Sequence, residues 1–418
     1  MVNEDEQNYP PSVLAMDRDD PLAEYRLQFD LPTGMAYFDG NSLGALSHEA
    51  RRRVAHTTEV EWGASLIGGW NDHDWIGLTR AAGELIAPVI GAGPDQVLVT
   101  DSISVNLFKL LCAALRLRPG RTRILTDAVN FPTDQYIAQG LVDLLGPERA
   151  LLEALPLDDI PAALDESVAL VMLSHVDYRT GRLHDMRGLT AAAHDCGALI
   201  LWDLAHSAGA LPLRLDADQV DLAVGCGYKY LNGGPGAPAF LYVAKRHQDL
   251  ARQPLQGWMG HADPFAFESE YRPAEGIERF ASGTPPILSL VALHAALQVF
   301  DGLDMGVVRD KSMALGSLCK TLIESKPVLG MLTLVSPSLP EQRGSQLSYR
   351  HPDAYQICQA LIRNGVVVDF RAPDILRIGF APLYLRYVDV WRLVDTLETV
   401  ISTNAHLDPS LARRKKVT

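Results

Sequence analysis

The segment AVGCGYKYLNGGPG, residues Ala223–Gly236, places one lysine among five glycines and two tyrosines. Apolar runs flank it, with DLAV at its start and APAFLYV at its end. An ammonium group is costly to remove from water, so a lysine in such surroundings is unusual. Lys229 therefore either extends its charged end to solvent or functions as a neutral amine. In the second case it can form a Schiff base with a carbonyl compound.

The chain as a whole has the composition of a globular protein. It has 418 residues, of which 47% are hydrophobic and 21% charged, and this size predicts two lobes. The net charge of −14, without a basic stripe, disfavours nucleic acid as a partner. The short basic tail RRKKVT is expected to be a solvated terminus.

Targeting and redox features predict a cytoplasmic protein. The acidic start MVNEDEQNYPP lacks the basic and apolar regions of a signal peptide. Apolar runs such as VALVML have the length of a strand, so no membrane partner is expected. The five cysteines are odd in number and show no CxxC spacing, which favours reduced thiols and argues against a metal site.

Apolar strands alternate with helical segments along the middle of the chain, which predicts an α/β fold with a mainly parallel sheet between helices. The predicted strands are QVLVT, TRILTD, VALVMLSHV, ALILWD, DLAVGC and AFLYVAK. The last two are too close for a helical crossover, so an antiparallel pair is expected there. After a long helix, ILSLVALHAALQVFDGL, the pattern becomes that of a smaller α+β segment. We expect an N-terminal arm (1–50) that contributes to a small domain (301–418), and a large domain (51–300).

Polar and aromatic residues follow the predicted strands, where parallel sheets bind their ligands. Ser102–Ser104 opens a helix whose free N–H groups favour a phosphate, although serine there is also an ordinary N-cap. Phe131 precedes a proline and either presents its ring at a loop or packs beneath it. Ser174 and His175 end another strand, where a histidine can be purely structural. Asp203 comes directly after a buried strand and either caps a helix or meets a positive partner.

These residues together match the needs of one cofactor, pyridoxal 5′-phosphate (PLP). PLP requires a lysine for the Schiff base, a carboxylate facing its protonated pyridine nitrogen, a phosphate-binding turn and a ring partner. Lys229, Asp203, Ser104 and Phe131 could supply these four in turn. A charge-assisted bond between the aspartate and the pyridinium contributes about 1.5–3 kcal/mol and keeps the ring able to accept electrons.

At this point the sequence resembles the kynureninase family. The resemblance rests on the segments YFDGNSLG, SVNLFK, NFPTDQYIAQGL, LSHVDYRTG, LWDLAHSAGA, GCGYKYLNGGPGAPAFLYV, GWMGH and SGTPPILSL. It extends from about Leu22 to the last helix. It implies PLP fold type I of the aminotransferase class V superfamily, with a mainly parallel sheet of the seven-stranded type and a smaller C-terminal α+β domain. The implied reaction is hydrolysis of L-kynurenine to anthranilate and L-alanine in tryptophan breakdown.

The resemblance also implies which residues bind the cofactor. Lys229 would carry the Schiff base and move the Cα proton, Tyr228 would bind the phosphate and help proton transfer, and Asp203 would pair with the pyridine nitrogen. The further implied contacts within the same subunit are Ile103, Ser104, Phe131, Asp134, Ser174 and His206. Trp258 and Thr284 would reach the phosphate of the partner subunit's cofactor, so a homodimer is expected.

For the substrate, the resemblance implies that Arg377 binds the α-carboxylate, a task that suits a guanidinium. Asn41, Ser42 and Trp70 would line the aromatic end. A tryptophan at this place offers a 3-hydroxyl group little hydrogen bonding, and a pocket seldom rejects one added hydroxyl strongly. We therefore expect a preference for L-kynurenine, with weaker activity on 3-hydroxy-L-kynurenine.

Other functions remain open from the sequence alone. A cysteine desulfurase or selenocysteine lyase would need a mobile reactive cysteine, and Cys226 is near Lys229 in sequence. A transaminase would use the same cofactor. A catalytically silent PLP-fold protein would be expected to lose Lys229, Asp203 or Arg377, and all three are present. A nicotinamide dehydrogenase is disfavoured because no GxGxxG follows the first strand.

Overall fold

A computed structural model describes residues 9–415 of the chain. Most of the acidic start and the last three residues of the basic tail lie outside the described residues. The strands are β1 Phe29–Asp30, β2 Ala36–Tyr37, β3 Leu46–Ser47, β4 Val97–Val99, β5 Arg123–Asp127, β6 Leu151–Leu155, β7 Val168–Ser174, β8 Leu199–Asp203, β9 Leu222–Cys226, β10 Ala239–Val243, β11 Thr333–Leu334, β12 Gln346–Arg350, β13 Val366–Val367, β14 Asp369–Arg371 and β15 Ile375–Gly379. The α-helices are α1 Pro11–Arg18, α2 His48–His56, α3 Gly69–Asp72, α4 Leu78–Val89, α5 Ile103–Leu117, α6 Pro132–Leu145, α7 Ile160–Ala163, α8 Met186–Asp195, α9 Lys245–Gln248, α10 Ile287–Ala296, α11 Met305–Glu324, α12 Ala354–Arg363 and α13 Tyr387–Ser402.

The described chain divides into two compact units. The first unit comprises the chain up to His48, the segment Tyr178–Leu183 and the chain from Gly302 onward. The second unit comprises Glu49–Asp177 and His184–Asp301. The sequence pattern did not assign Tyr178–Leu183 to the first unit, because nothing in that short loop distinguishes it from the strand connections around it.

A seven-stranded sheet forms the centre of the second unit, in the order β4-β10-β9-β8-β7-β5-β6. Strands β5 to β9 run parallel, whereas β10 is antiparallel to both β9 and β4. The prediction of a mainly parallel sheet with an antiparallel pair at DLAVGC and AFLYVAK is therefore confirmed. The central strands β8, β9 and β10 are buried along their whole length, as strands covered by helices must be.

Helices α5 and α6 pack against each other, and α5 also contacts the sheet at β7, β9 and β10. The helix α5 begins after Ser102, whose side chain accepts the Val105 N–H and so caps the first turn. Its apolar side chains, together with those of the strands, form one continuous core in which Leu107, Leu110 and Leu111 are fully buried. This packing fixes the start of α5 at the carboxyl end of β4.

The first unit contains a four-stranded antiparallel sheet in the order β11-β12-β15-β14. The N-terminal arm adds β2, which pairs in parallel with β13. The helix α13 packs on α1, α11 and α12. The arm is therefore part of this unit's fold. Arg377 lies on β15, an inner strand of the four-stranded sheet.

Two local features differ from the sequence pattern. The edge strand β6 was not predicted, because its residues LLEAL are only partly buried and lack a strict alternation. The long helix predicted after residue 286 is α-helical only to Ala296 and continues as a 3₁₀ turn, Leu297–Phe300. In residues 9–415 no single helix is long and apolar enough to cross a membrane; Ile287–Phe300 and Met305–Glu324 reach that length and composition only when counted together.

Asp221 joins three segments of the second unit just before β9. Its carboxylate accepts hydrogen bonds from the Ile200 N–H at 2.9 Å, His194 Nε2 at 2.8 Å, and His247 Nε2 and Arg246 at 2.7 Å each. Burial alone would raise the pKa of Asp221, but these hydrogen bonds outweigh burial and lower it. The ionised carboxylate therefore stabilises the folded protein.

We predict that Asp221→Asn lowers the free energy of unfolding at pH 7 by about 1–3 kcal/mol, because the amide group cannot accept all the hydrogen bonds that the buried carboxylate accepts. The stabilisation is present above the unfolded-state pKa of about 4 and is lost as the pH falls toward the lowered folded-state pKa. The difference between variant and wild type should therefore shrink in acid. Urea unfolding at pH 7 and at lower pH measures it. Asp408→Asn, which breaks an exposed pair with Arg363, is the control and should change stability little.

Candidate active site

The lysine segment forms a tight turn after β9. Its backbone is closed by hydrogen bonds from the Asn232 N–H to the Lys229 carbonyl at 2.9 Å and from the Gly233 N–H to the Gly227 carbonyl at 2.8 Å. A Cβ atom on Gly227 would lie 2.6 Å from the Pro238 carbonyl oxygen, closer than real contacts allow. The glycines therefore let the chain fold back on itself and hold Lys229 at the end of the strand.

Lys229 lies at this strand end in a half-buried position. Its Nζ is 3.1 Å from Nε2 of His206, 6.0 Å from the centre of the Phe131 ring and 5.9 Å from that of Tyr228. The structure thus brings together four residues that the sequence assigned to one site. Burial raises the pKa of the Tyr228 hydroxyl well above its ordinary value, so this phenol carries its proton near neutral pH.

Two buried carboxyl groups lie beside this lysine. Asp203, at the end of β8, is 6% exposed and accepts the Ala205 N–H at 2.7 Å, while Asp134, in the first turn of α6, is fully buried. Burial, and then the charge of Asp203, raise the pKa of Asp134 well above its ordinary value; burial also raises the pKa of Asp203, against the charge of Lys229. The side chains of Asp203 and Asn130 are near enough to Asp134 to change its pKa, although within residues 9–415 neither oxygen of Asp134 makes a close hydrogen bond. Such a pair is suited to a ligand that brings a positive charge and hydrogen-bond donors.

Asn130 and Ser207, which the sequence analysis did not single out, form hydrogen bonds with predicted residues at the strand ends. Asn130 Oδ1 accepts the Ser174 hydroxyl at 2.6 Å and the Phe131 N–H at 2.8 Å. His175 Nδ1 lies 2.9 Å from the Ser207 hydroxyl. Asn130 fixes the backbone of Phe131 and the predicted site residue Ser174 at once. Asn130 lies two residues before the NFPTD proline, and nothing in the sequence around it indicated this double role.

The predicted phosphate turn begins α5. Ile103 and Ser104 are the first two residues of that helix and are half-buried. Their N–H groups belong to the first turn, which lacks acceptors within the helix. The helix dipole adds a favourable potential for an anion. The geometry therefore agrees with a phosphate-binding turn, and a serine N-cap at Ser102 is present as well.

In the first unit, Arg377 is fully buried and already paired. Its guanidinium donates to the Tyr178 carbonyl and to the Ser42 hydroxyl, both at 2.8 Å, and forms an ion pair with Asp369. Asp369 also pairs with Arg371 at 2.8 Å. The Nε atom of Arg377 has no hydrogen-bond partner in the described part of the chain. A substrate carboxylate would have to exchange some of these contacts for its own.

The two other predicted residues of this unit lie beside the same guanidinium. Ser42 donates to Asp369 at 3.0 Å, so its contacts are with the charged network. Asn41 is fully buried, and a Cβ atom on Gly379 would collide with its amide. The role of both residues at the aromatic end of the substrate stays a prediction.

The remaining predicted residues of the second unit are Trp70, Trp258 and Thr284. Trp70 is half-buried in α3 and packs edge-on against Trp75, with ring centres 5.5 Å apart. Trp258 is 40% exposed, and Thr284 lines a cavity of about 970 Å³. Neither Trp258 nor Thr284 makes a hydrogen bond to Lys229 within residues 9–415. Both are accessible on the surface of this unit, as residues that reach another subunit must be.

Cys112, Cys226 and Cys319 lack the features of a catalytic thiol. Cys226 is buried, and burial raises its pKa, so the thiol stays protonated. Burial also raises the pKa of Cys112 to about 11 and of Cys319 to about 12. A nucleophilic cysteine needs an accessible thiolate. Within the described residues no cluster of three or more His, Cys, Asp or Glu side chains could hold a metal ion.

Comparison with known proteins decides between the PLP enzymes. The family model described as Kynureninase C-terminal domain matches residues 308–397. Kynureninase of Burkholderia mallei strain SAVP1 is 50% identical over 409 residues, which are 97% of this chain and 98% of that protein. Kynureninase of Deinococcus radiodurans is 51% identical and covers 93% of this chain and 95% of its own length. The chain belongs to the kynureninase family.

Solved structures related to this kynureninase family member confirm the predicted fold. An apo cysteine desulfurase from Thermococcus onnurineus NA1 superposes with a TM-score of 0.76 at 19% identity, covering 91% of this chain and 98% of that one. A C-DES mutant with glycine covalently linked to its PLP cofactor gives a TM-score of 0.75, also at 19% identity, covering 89% and 98%. At this identity the likeness establishes the fold alone.

The cofactor of kynureninases is PLP, and the residues of the second unit fit it. The fully buried carboxyl group of Asp134, the raised pKa of Asp203 and the half-buried Lys229 fit a ligand that brings a cationic ring with polar substituents. Lys229 would hold the aldehyde carbon, Asp203 the ring nitrogen, and the start of α5 the phosphate.

Proposed function

We propose how the residues of these sites divide the work of the kynureninase reaction. As a member of its family, the chain is a PLP-dependent hydrolase that cleaves the Cβ–Cγ bond of L-kynurenine with water, giving anthranilate and L-alanine. One observation carries the assignment of the site: a half-buried Lys229 lies at the carboxyl end of the sheet beside two buried carboxyl groups, Asp203 and Asp134. When bound, PLP supplies an electron sink for the carbon atoms of the substrate amine.

Proton transfer is the proposed task of Lys229 and its neighbours. Lys229 would hold PLP and, when its amine is free, would take the Cα proton of the substrate. The distance of 3.1 Å to His206 gives that amine a partner which holds it near the site. Tyr228 keeps its proton because burial raises its pKa, so its hydroxyl can donate to the β-carbon as the carbon–carbon bond breaks. Asp203 would stabilise the protonated form of the cofactor's ring nitrogen.

Substrate orientation is the proposed task of Arg377. Its guanidinium is held in a fixed plane by Asp369, the Tyr178 carbonyl and Ser42. A pre-oriented guanidinium binds a carboxylate with little loss of side-chain entropy, which favours the α-carboxylate of L-kynurenine over other groups. Asn41, Ser42 and Trp70 are proposed to line the remaining pocket.

We also propose a cytoplasmic homodimer in which each active site uses both subunits. A group of exposed aromatic side chains supports this proposal: Trp258 is 40% exposed, Phe265 54% and Phe267 78%. The Phe265 ring contacts the rings of both Trp258 and Phe267. Exposed aromatic clusters of this kind mark protein interfaces. Trp258 and Thr284 would then complete the phosphate site of the partner subunit.

We propose the boundaries 50/51 and 300/301 as the limits of the large, cofactor-binding domain.

We predict that Lys229→Ala abolishes both the visible absorption band of bound PLP and the release of anthranilate. Arg377→Lys should keep the band but raise KM for L-kynurenine roughly 10- to 100-fold, because one charge-assisted, paired contact is lost. The control is Arg350→Lys on the neighbouring strand β12, an exposed side chain whose change should leave KM unaltered. An intact band without cleavage of L-kynurenine in the wild-type protein would refute the proposed activity.

We further predict that the wild-type protein cleaves L-kynurenine faster than 3-hydroxy-L-kynurenine, as measured by kcat/KM from alanine release. Trp70→His should reduce this preference, because an imidazole can hydrogen-bond the added hydroxyl and an indole in this position offers it little. Trp62→His, at an exposed tryptophan nearby in the sequence, is the control. Equal preferences in wild type and Trp70→His would show that Trp70 does not set substrate choice.

A further inference from the structure

A fully buried lysine outside the proposed catalytic group lies in the middle of α5. The Lys109 side chain is 0% exposed, and its Nζ donates to Asp101 and, at 2.6 Å, to the Phe280 carbonyl. Burial lowers the pKa of Lys109, and the charge of Asp101 opposes that effect. An ammonium group is expensive to bury, and here its charge is met by Asp101 and the Phe280 carbonyl.

One end of this ion pair fixes the turn before α5. Asp101 has a left-handed backbone, with φ of 49°, and immediately precedes Ser102, the cap of the helix. Its carboxylate also accepts the Thr100 hydroxyl at 2.9 Å, and its carbonyl accepts the Ala239 N–H at 2.9 Å. These contacts hold a strained residue between β4 and the proposed phosphate turn at Ile103 and Ser104.

The same ion pair also fixes the loops that carry Trp258 and Thr284. Asp101 accepts the Ser282 hydroxyl at 3.3 Å, and Ser282 lies two residues before Thr284. The Ser282 carbonyl accepts the Met259 N–H at 3.1 Å, directly after Trp258. A Cβ atom on Gly257 would lie 2.1 Å from that same carbonyl oxygen, so the two loops are packed together.

We propose that the Lys109–Asp101 ion pair is a positioning device for both halves of the cofactor phosphate site: the turn within its own subunit and the two loops that reach the partner subunit's cofactor. The inference rests on the proposed function. Lys109 touches neither cofactor nor substrate; it acts through Asp101, Ser282 and the Phe280 carbonyl. One buried pair would thereby link the two active sites of a dimer.

The test compares two buried lysines. Lys109→Met removes this charge, whereas Lys311→Met removes an equally buried one in the other unit, where Lys311 pairs with Asp20 at 2.7 Å. Both variants leave a carboxylate without its lysine partner, with Asp101 26% and Asp20 2% exposed, so both lose stability. The readout is the affinity of the apoenzyme for PLP, titrated by the visible band, together with the ³¹P resonance of the bound phosphate. We expect Lys109→Met to weaken PLP binding roughly tenfold or more and to shift the resonance, and Lys311→Met to change neither.

Dimers of two different chains test the two halves of the phosphate site separately. In the first, Lys109→Met is in the chain with the intact Lys229, and its partner carries Lys229→Ala. In the second, Lys109→Met and Lys229→Ala are in one chain, and its wild-type partner binds the cofactor. Weakened binding in both supports the proposal. Binding weakened in only one of them, chains that do not associate, or equal affinities of the Lys109 and Lys311 variants would overturn it.

A milder variant keeps the test decisive if Lys109→Met does not fold. Ser282→Ala leaves the ion pair in place and removes only the hydroxyl that joins Asp101 to the Thr284 loop. It should weaken PLP binding, and unchanged affinity would contradict the proposal.

Failure of the proposed function is a different result: a wild-type protein that binds PLP through Lys229 but does not cleave L-kynurenine would refute that activity and leave the affinity comparison valid.

Discussion

The fully buried carboxyl group of Asp134 next to that of Asp203 is the constraint on which the site depends. Burial of both groups at the end of the parallel sheet is unfavourable and raises both pKa values, and the charge of Asp203 raises the pKa of Asp134 further. Lys229 supplies part of the compensation, and a protonated pyridine ring would supply the rest. The sheet, the glycine turn and the start of α6 all position side chains around these two buried carboxyl groups.

Much of this arrangement follows from the sequence. Strand ends on one edge of a parallel sheet converge, so Ser174, Asp203 and Lys229 could be assigned to a common site from the alternation of strands and helices. The isolated lysine among glycines indicated its chemistry, because few other functions explain an amine in that place. The antiparallel return of β10 followed from a connection too short for a helix.

Other features could not be read from the sequence. Asn130 accepts hydrogen bonds from both the Ser174 hydroxyl and the Phe131 N–H because two loops meet in the folded protein. A single asparagine in the sequence does not indicate that contact. The engagement of Arg377 by Asp369 and Tyr178 depends on pairing between strands and on a six-residue loop that joins the first unit. The edge strand β6 is half-exposed, and its composition does not distinguish it from a helix.

The most direct test of this account measures the protonation of the cofactor's ring nitrogen. The protein would be loaded with PLP carrying ¹⁵N in the ring, and the nitrogen resonance compared between wild type and Asp203→Asn. The account predicts the shift of a protonated pyridine in the wild type and of an unprotonated one in the variant, since only a carboxylate holds that proton against burial. A protonated nitrogen in both proteins would contradict the central role given to the buried carboxyl pair.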